Sequence, residues 1–525
     1  MHTLVRVVTS TESAARDAAA IAAGVPSRTL MQRAGAAAAG EIALRYRDRL
    51  DGGVVVLAGP GNNGGDAWVI ARALAAVGVR VRVVEPVAAK TPDAIAERTL
   101  AARVIEPDAL VDGSAPESLG RYAIVVDGLL GTGATGAPRG AIAAVIRQAN
   151  TARANGAVVV ALDLPSGLQA TTGESSGDVV TADLTLTFGT IKRGHLVDRD
   201  RCGIVVVLDI GLDAFTALPD RAGGLVDEAW VASQIPAIGA SAHKGVRKKI
   251  AIVGGATGMA GASILAGRAA QRSGAGMVKL IVSPDSLPAV QQSEPYALAG
   301  AWPTDDAGVD REIAHWADCV VIGPGLGRGA PSRELLERVL RCWRGPTLLD
   351  ADALTLFEGR AGDLSRILGG RPALITPHVA EFARLAGVAV DSALAARFEV
   401  GGDMAALLRA VVLLKGVPTI ITSPAREVLV SASGTPALAA AGSGDVLSGI
   451  AGTLLAQLGD PFVAAAAAAW VHGRAAERVP TGQGNGIRGI SLEDVVNELR
   501  DSWTFDARPG RYPVLAELAD VAGAQ

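Results

Sequence analysis

Apolar residues in this chain fall into short, nearly continuous runs rather than alternating ones. In the first half the runs are GVVVLA (53–58), VRVRVVE (79–85), AIVVDG (123–128), AVVVALDLP (157–165) and TLTF (185–188). Continuous runs of this length mark strands buried on both faces of a parallel sheet. Stretches of helical period lie between them, such as 67–77 and 138–154. Strand, helix, strand, helix predicts an α/β layer fold. The pattern pauses at 212–242, where no strand run is predicted, and the domain boundary is placed near 215–225. A second series follows at 248–255, 276–283, 318–325, 346–352, 372–378 and 410–416. The predicted domains are therefore 1–218 and 225–505, and the residues after Trp503 carry no strong pattern. The longest apolar runs, 446–458 and 461–471, are separated by Asp460-Pro461 and read as buried Ala-rich helices. Neither reaches the roughly 20 residues of a membrane-spanning helix.

Candidate chemistry gathers where the first strands end. Strand 53–58 runs into Gly59-Pro60-Gly61-Asn62-Asn63-Gly64-Gly65-Asp66 ahead of a helix. Glycines let the backbone approach a ligand, and a helix N-terminus favours a phosphate. Gly59, Gly61 and Gly64 fit GxGxxG, and the next strand ends in Glu85, the place of a ribose-binding carboxylate in a dinucleotide unit. Asn62, Asn63 and Asp66 inside the turn speak against that simple reading, and a tight turn without a ligand is the plain alternative. Two more strands end in acids, Asp127 before GLLGTG and Asp163 before LPSG. A lone aspartate at such a place usually caps a helix or forms a turn. Three such loops along one carboxyl edge of a parallel sheet point to a ligand site.

GPGNNGGDA, DGLLGTGATG, DLPSG and FGTIKRG, in this order and spacing, resemble the N-terminal domain of the YjeF family, the NAD(P)H-hydrate epimerases. Met31–Gly35 resembles that family's early helix, and the resemblance covers about 8–215. Ala67 stands where a glycine is common. The resemblance implies a Rossmann-like three-layer αβα domain acting on hydrated NADH or NADPH (NADHX or NADPHX), whose R and S epimers at C6 it interconverts. It also implies substrate contacts from Asn62, Asn63, Gly64, Gly65 and Asp66, and from Gly131, Thr132, Gly133, Ala134, Thr135, Gly136 and Ala137. Asn63, Asp127 and Ser166 would hold a K+ ion, and Asp163 would contact the substrate and move protons. Lys192 is a candidate assistant to Asp163; a surface lysine is the equal alternative.

The sharpest local signal is Ala441-Gly442-Ser443-Gly444-Asp445-Val446-Leu447-Ser448-Gly449, where small residues open a long apolar helix. The amides of 442–444 form a candidate anion hole for a phosphoryl group, and Asp445 can take a proton from an attacking hydroxyl. Simple capping by Ser443 or Asp445 does not explain the two glycines. Upstream lie Gly254-Gly255-Ala256-Thr257-Gly258-Met259-Ala260-Gly261-Ala262, Gly323-Pro324-Gly325-Leu326-Gly327, Asp350-Ala351-Asp352, Thr376-Pro377-His378 with Glu381, and Lys415-Gly416. On their own, His378 reads as a structural residue, and Lys415 as either a phosphate partner or a surface charge.

Together these motifs resemble the YjeF C-terminal domain, the ribokinase-like αβα fold of the nucleotide-dependent NAD(P)H-hydrate dehydratases, over about 225–500. The resemblance implies that Asp445 takes the 6-hydroxyl proton, and that Ala262, Gly325 and His378 contact the hydrate. Lys415, Gly416, Val417, Pro418 and Thr419 with Gly444 would bind the nucleotide, and Glu381 would help place Mg2+. ADP is the expected phosphoryl donor. Met259, Ala380 and Ala440 depart from the family's usual Tyr, Gly and Thr.

Composition narrows the partners. Half the residues are apolar (49%) and 19% are charged, so large cores are easily built. A net charge of -4 and 3% aromatics argue against a nucleic-acid partner. Cys202, Cys319 and Cys342 have no CxxC spacing and read as buried thiols in a reducing compartment. The N-terminus lacks the apolar core of a signal peptide, so a cytoplasmic protein without a membrane partner is expected. Ala-rich domains of this type often assemble, and a homo-oligomer is expected. The rival reading is a ribokinase-type small-molecule kinase fused to a non-catalytic dinucleotide-binding module. Its product would keep the phosphate, and racemisation by a 1–220 fragment would separate the two readings.

Overall fold

The computed structural model describes residues 3–105, 110–112, 119–212, 215, 222–480, 487–506 and 510–521. Residues 216–221 of the expected boundary lie outside them. The chain forms two compact units: Val5–Ala222 with Arg508–Gln525, and Met1–Leu4 with Gly223–Ala507. No helix among the described residues is long and apolar enough to cross a membrane.

In the first unit the strands lie in the order Val514–Leu518, Ile204–Leu208, Leu184–Phe188, Val158–Leu162, Ile124–Gly128, Val54–Ala58, Val81–Glu85, Leu110–Asp112. All neighbours are parallel except the first pair. Successive residues of Val54–Ala58 point to opposite faces. Val54, Val56 and Ala58 enter a core with helices Ser27–Arg45 and Asn62–Ala76, whereas Val55 and Leu57 enter one with helix Gly140–Ala154. That is a three-layer αβα stack. The chain runs from Val54–Ala58 outward to one side, then returns to its other side with Ile124–Gly128. This reversal opens a crevice at the carboxyl ends of the two strands.

The second unit repeats the plan. Its order is Leu298–Ala301, Met277–Val282, Lys249–Val253, Cys319–Ile322, Thr347–Leu349, Ala373–Ile375, Val411–Leu414, Thr419–Thr422, Val428–Ser431, Gly223–Leu225. Thr419–Thr422 runs antiparallel to both its neighbours. Ile250 and Ile252 face one core and Ala251 and Val253 the other, so this sheet too is covered on both sides. Helices Ala260–Arg272, Ser443–Leu458 and Pro461–Arg478 supply the first of these cores.

Two elements correct the sequence reading. The segment expected to lack strands contains Gly223–Leu225; its two glycines carry no β signal, and a Cβ on Gly224 would lie 2.9 Å from Leu4. The residues after Trp503 contain Val514–Leu518, which pairs antiparallel with Ile204–Leu208. Its VLAEL sequence lacks the β-branched run that marks the inner strands. It is fastened by Arg45–Glu517 at 2.6 Å, by Arg511 on the buried Glu41, and by Arg199 donating to the Ala519 carbonyl. A fragment ending near 220 therefore lacks an edge strand of its own sheet.

An uncovered, apolar Ile204–Leu208 is a site for edge-to-edge pairing. Deletion of 508–525 should lower the melting temperature of the first unit by at least ~4 °C. It should also produce self-association in sedimentation velocity; a deletion variant that stays monodisperse with unchanged melting would refute the edge-guarding role.

Candidate functional site

Helix Asn62–Ala76 begins five residues before the predicted 67, so Asn62–Asp66 form its first turns. Glycine is required there. A Cβ on Gly64 would lie 1.9 Å from the Gly59 carbonyl oxygen, and one on Gly65 would lie 2.5 Å from Met31. This tight packing sets Asn63 among the next two loops. Its Nδ2 donates to Leu130 O at 2.9 Å and to Leu162 O at 3.1 Å. The amide orientation is thereby fixed, and Oδ1 is left buried without a hydrogen-bond partner. Asp127, fully buried, accepts from Ser166 Oγ at 2.7 Å, Ser166 N at 2.9 Å and Leu129 N at 3.2 Å. Burial pushes its carboxyl up to about 6 despite the bonds from Ser166, and no basic side chain among the described residues pairs with it.

Asp163 ends the next strand in the left-handed conformation, at φ +60. Its Oδ1 accepts from Lys192 Nζ at 2.5 Å. Lys192 is not the surface residue allowed by the sequence reading: it is 1% exposed and also donates to Thr187 Oγ1 at 2.8 Å. Burial opposes the charge on Asp163, but Lys192 outweighs it and holds the carboxyl below its ordinary value. Asp66 is pushed the other way, well above the usual carboxylate range, by burial and by the charges of Asp163 and Asp17. Glu85 is no ribose ligand as it stands. It is buried, salt-bridged to Arg98 at 2.8 Å and bonded by Ala89 N at 3.1 Å.

In the second unit, the loops after adjacent parallel strands converge in the same way. Gly255 N donates to Pro324 O at 3.0 Å and Ala256 N to Gly325 O at 2.7 Å. A Cβ on Gly325 would lie 3.0 Å from that of Ala262, so these two expected substrate residues are neighbours. Asp350 is buried, receives Lys415 Nζ at 2.8 Å and Ser448 Oγ at 2.7 Å, and precedes Ala351 at φ +51. Lys415 also lies 3.7 Å from Glu381. Burial opposes its charge, yet Asp350 and Glu381 hold its ammonium above the ordinary value. Its Nζ would lie 3.0 Å from a Cβ on Gly444.

Helix Ser443–Leu458 is entered through Gly442 at φ +96. The Ser443 amide already donates to Ala440 O at 3.2 Å, which leaves the Gly442 and Gly444 amides for an anion. Asp445 is pushed up to about 7, first by burial and then by Asp350, with Lys415 pulling back. His378 caps its own helix: its Nδ1 accepts from Ala380 N at 3.1 Å and Glu381 N at 3.3 Å. Glu381 Oε2 closes the capping box on His378 N at 2.8 Å. Glu381 thus already serves a structural contact. Gly416 and Val417 are exposed.

Residues 27–194 match the family described as YjeF-related protein N-terminus, and residues 250–498 match NAD(P)H-hydrate dehydratase. The chain is 38% identical over 500 residues to the bifunctional NAD(P)H-hydrate repair enzyme of Salinibacter ruber, covering 87% of this chain and 88% of that one. The Escherichia coli enzyme of the same name is 34% identical over 488 residues, covering 91% and 90%. The chain belongs to the bifunctional NAD(P)H-hydrate repair enzyme family. It is also similar to a solved ADP/ATP-dependent NAD(P)H-hydrate dehydratase of Bacillus subtilis, co-crystallised with ATP/Mg2+ (28% identity, TM-score 0.45, 53% of this chain and 96% of that one). Nothing in these findings favours the rival kinase reading.

Within this family frame, sequence reasoning passed over three groups that the fold places at the sites. Asp350 and Ser448 were visible inside quoted motifs, but only the fold brings them to Lys415. His195 sits two residues beyond FGTIKRG's lysine–arginine pair and carries no motif signal. Its bonds to Asp163 O at 2.7 Å and Lys192 N at 3.1 Å exist only in three dimensions.

Asp163 and Lys192 form a buried pair, with side chains 16% and 2% exposed. Removing one partner leaves an uncompensated charge. Lys192→Met should destabilise the first unit by about 3–5 kcal/mol at neutral pH in denaturant unfolding. Asp163 is depressed below its ordinary 3.8, so its contribution is present above that value and lost as pH falls through the lower folded value. The Lys192→Met defect should therefore fade in acid, and Asp163→Asn in the same background should recover most of it.

Proposed function

We propose that the first unit epimerises (R)- to (S)-NAD(P)H hydrate and that the second dehydrates the S epimer with ADP as phosphoryl donor, releasing phosphate and AMP. The observation that carries the reading is Asp445: a carboxyl poised near 7, in the first turn of a helix whose Gly444 lies against the Lys415 ammonium, a Cβ there falling 3.0 Å from Nζ. A base with a titration point near neutrality, an anion hole and a fixed cation are the parts phosphoryl transfer requires.

In the second unit, Asp445 takes the proton of the 6-hydroxyl as its oxygen attacks the terminal phosphoryl of ADP. AMP leaves, and the Gly442 and Gly444 amides with Lys415 stabilise charge on the transferred group. The C6–O bond then breaks with loss of a C5 proton, which restores the C5–C6 double bond and frees phosphate. Hydroxide is a poor leaving group and phosphate a good one. Ala262, Gly325 and His378 line the hydrate side, and 415–419 the nucleotide side. Mg2+ would be held largely by substrate phosphates and its own waters and would need no all-protein cage. Glu381, engaged in its capping box, is set aside as a direct ligand.

In the first unit, Asp163 is ionised and directly follows Leu162, whose carbonyl accepts from Asn63 in the first turn of helix Asn62–Ala76. It takes the 6-hydroxyl proton as the N1–C6 bond breaks, giving an aldehyde at C6 and passing the proton to N1; N1 then re-adds to the other face of the carbonyl and the proton returns to the oxygen, with Lys192 holding the charge of Asp163 throughout. The residues fit a K+ ion: Asn63 Oδ1 is an orphaned buried oxygen, and Asp127 is a buried carboxyl without a cationic partner. Asn63, Asp127 and Ser166 would hold the ion, which supplies a fixed positive charge beside the substrate's polar groups.

The test is recovery of 340 nm absorbance from mixed R and S NADHX with Mg2+, K+ and either ADP or ATP. Complete recovery with phosphate release supports both activities; recovery of the S fraction alone removes the epimerase. Asp445→Asn should cut dehydration ~10²–10⁴-fold and leave epimerisation intact. The same variant should be more stable than the parent at pH 8 but not at pH 4. The raised carboxyl favours the folded state only while protonated, and that contribution is lost as pH rises through about 7. Asp127→Asn should raise the K+ concentration needed for half-maximal epimerisation by at least ~10-fold, with dehydration unchanged.

A further inference from the structure

We infer that His195 is a positioning residue for the first unit's proton-moving pair, its imidazole tying the main chain of Asp163 to the main chain of Lys192. The inference rests on the epimerase reading. Asp163 and Lys192 come from different elements, the end of Val158–Leu162 and the short strand Ile191–Lys192. Their side chains meet at 2.5 Å, and nothing in the local sequence of either sets that distance. His195 spans them. Its Nδ1 accepts the Lys192 N–H at 3.1 Å, so the ring proton lies on Nε2, which donates to Asp163 O at 2.7 Å. The carbonyl it holds belongs to the residue at φ +60, an uncommon conformation for a residue that bears a side chain.

The ring is suited to this task. His195 is fully buried, and burial with the nearby Lys192 charge pushes it down to about 3. It stays neutral at working pH, which it must, because an imidazolium has no acceptor for the Lys192 N–H. It does not compete with Asp163 for protons. Asp163 itself faces Lys192 and Thr187 and feels Asp66 and Asp17; His195 also feels Arg199. Loss of the strut would let the Asp163 carboxylate drift from Lys192, weakening the pull that keeps it ionised. Catalytic geometry would then suffer more than substrate affinity, because the contacts from 62–66 and 131–137 are untouched.

The experiment uses the full-length chain and purified (R)-NADHX without nucleotide, following the R/S ratio by chromatography. His195→Leu removes both hydrogen bonds; His195→Gln keeps a donor toward the Asp163 carbonyl. His195→Leu should lower kcat ~10–100-fold with KM little changed. Its acid limb should move to higher pH, and His195→Gln should recover most of the lost rate. The unfolding transition of the first unit in the same preparations, followed by calorimetry, reports that this unit is folded; dehydration of (S)-NADHX reports only the second unit. If His195→Leu does not fold, the acid limb and kcat of His195→Gln carry the test alone. A parental kcat and acid limb in folded His195→Leu, or a change confined to KM, overturns the positioning role. So does a His195→Gln no faster than His195→Leu. Parental enzyme that epimerises no faster than buffer overturns the epimerase reading instead, which keeps the two failures apart.

Discussion

Both sites depend on main chains that cross at contact distance beyond the ends of parallel strands. In the first unit, a Cβ on Gly59 would lie 1.8 Å from the Leu129 carbonyl oxygen. In the second, a Cβ on Gly254 would lie 2.0 Å from Pro324 O, and one on Gly323 would lie 1.8 Å from Asp350 O. Only backbone fits at such separations. The crossings fall beside the strand where the chain reverses direction across the sheet, the place where open α/β sheets bind ligands. Because the loops touch there, the residues just after each crossing are brought to one point. Asn63 reaches the carbonyls of Leu130 and Leu162, and Lys415 reaches Asp350. Polar side chains far apart in sequence become neighbours because the chain between them has no room to spread.

That constraint explains what was readable from the sequence. Strands buried on both faces must be apolar throughout, so the inner strands of both sheets stand out as Val/Ile/Leu runs. Loops that must cross need glycine, so the glycine-rich motifs follow those runs directly. What escaped was held by weaker rules. Val514–Leu518 is an edge strand with one partner and an exposed side, so its sequence is free to look helical. Gly223–Leu225 packs by closeness rather than by side-chain burial. The start of helix Asn62–Ala76 was placed late because glycines and asparagines disfavour a helix interior. Here their cost is offset by packing against Gly59 and Met31.

The sites were legible in residue type but not in connection. Asp127 and Asp163 could be picked out because, with the Gly-Asn loop, they line one carboxyl edge of a parallel sheet, and Asp445 because capping leaves its flanking glycines unexplained. Their partners could not. Lys192 reads in sequence as any lysine after a strand, and only the fold reveals that it is buried on Asp163. Asp350 reads as part of a small-residue turn, yet it fixes Lys415 and receives Ser448. Glu381 illustrates the opposite case. The family resemblance suggested a role beside Mg2+, while its spacing of three from His378 is that of a capping box, in which its Oε2 is engaged.

The two proposed bases are buried to similar effect but tuned in opposite directions, and the difference matches the steps asked of them. Asp163 has a lysine at 2.5 Å, so burial is outweighed and the carboxyl is held low. Such a group is ionised at working pH and hands back at once any proton it accepts, which suits a step in which the proton is only borrowed. Asp445 has no cation of its own, because Lys415 is bound to Asp350 and pulls on Asp445 only from beyond it. Burial and the neighbouring acids push it to about 7. A base matched to ambient pH extracts a hydroxyl proton more forcefully. In the proposed reaction the incoming phosphoryl group, held by Lys415 and the helix amides, would then meet an oxygen already losing its proton. The two units share an αβα plan, and the placing of the lysine sets their proposed bases in opposite directions.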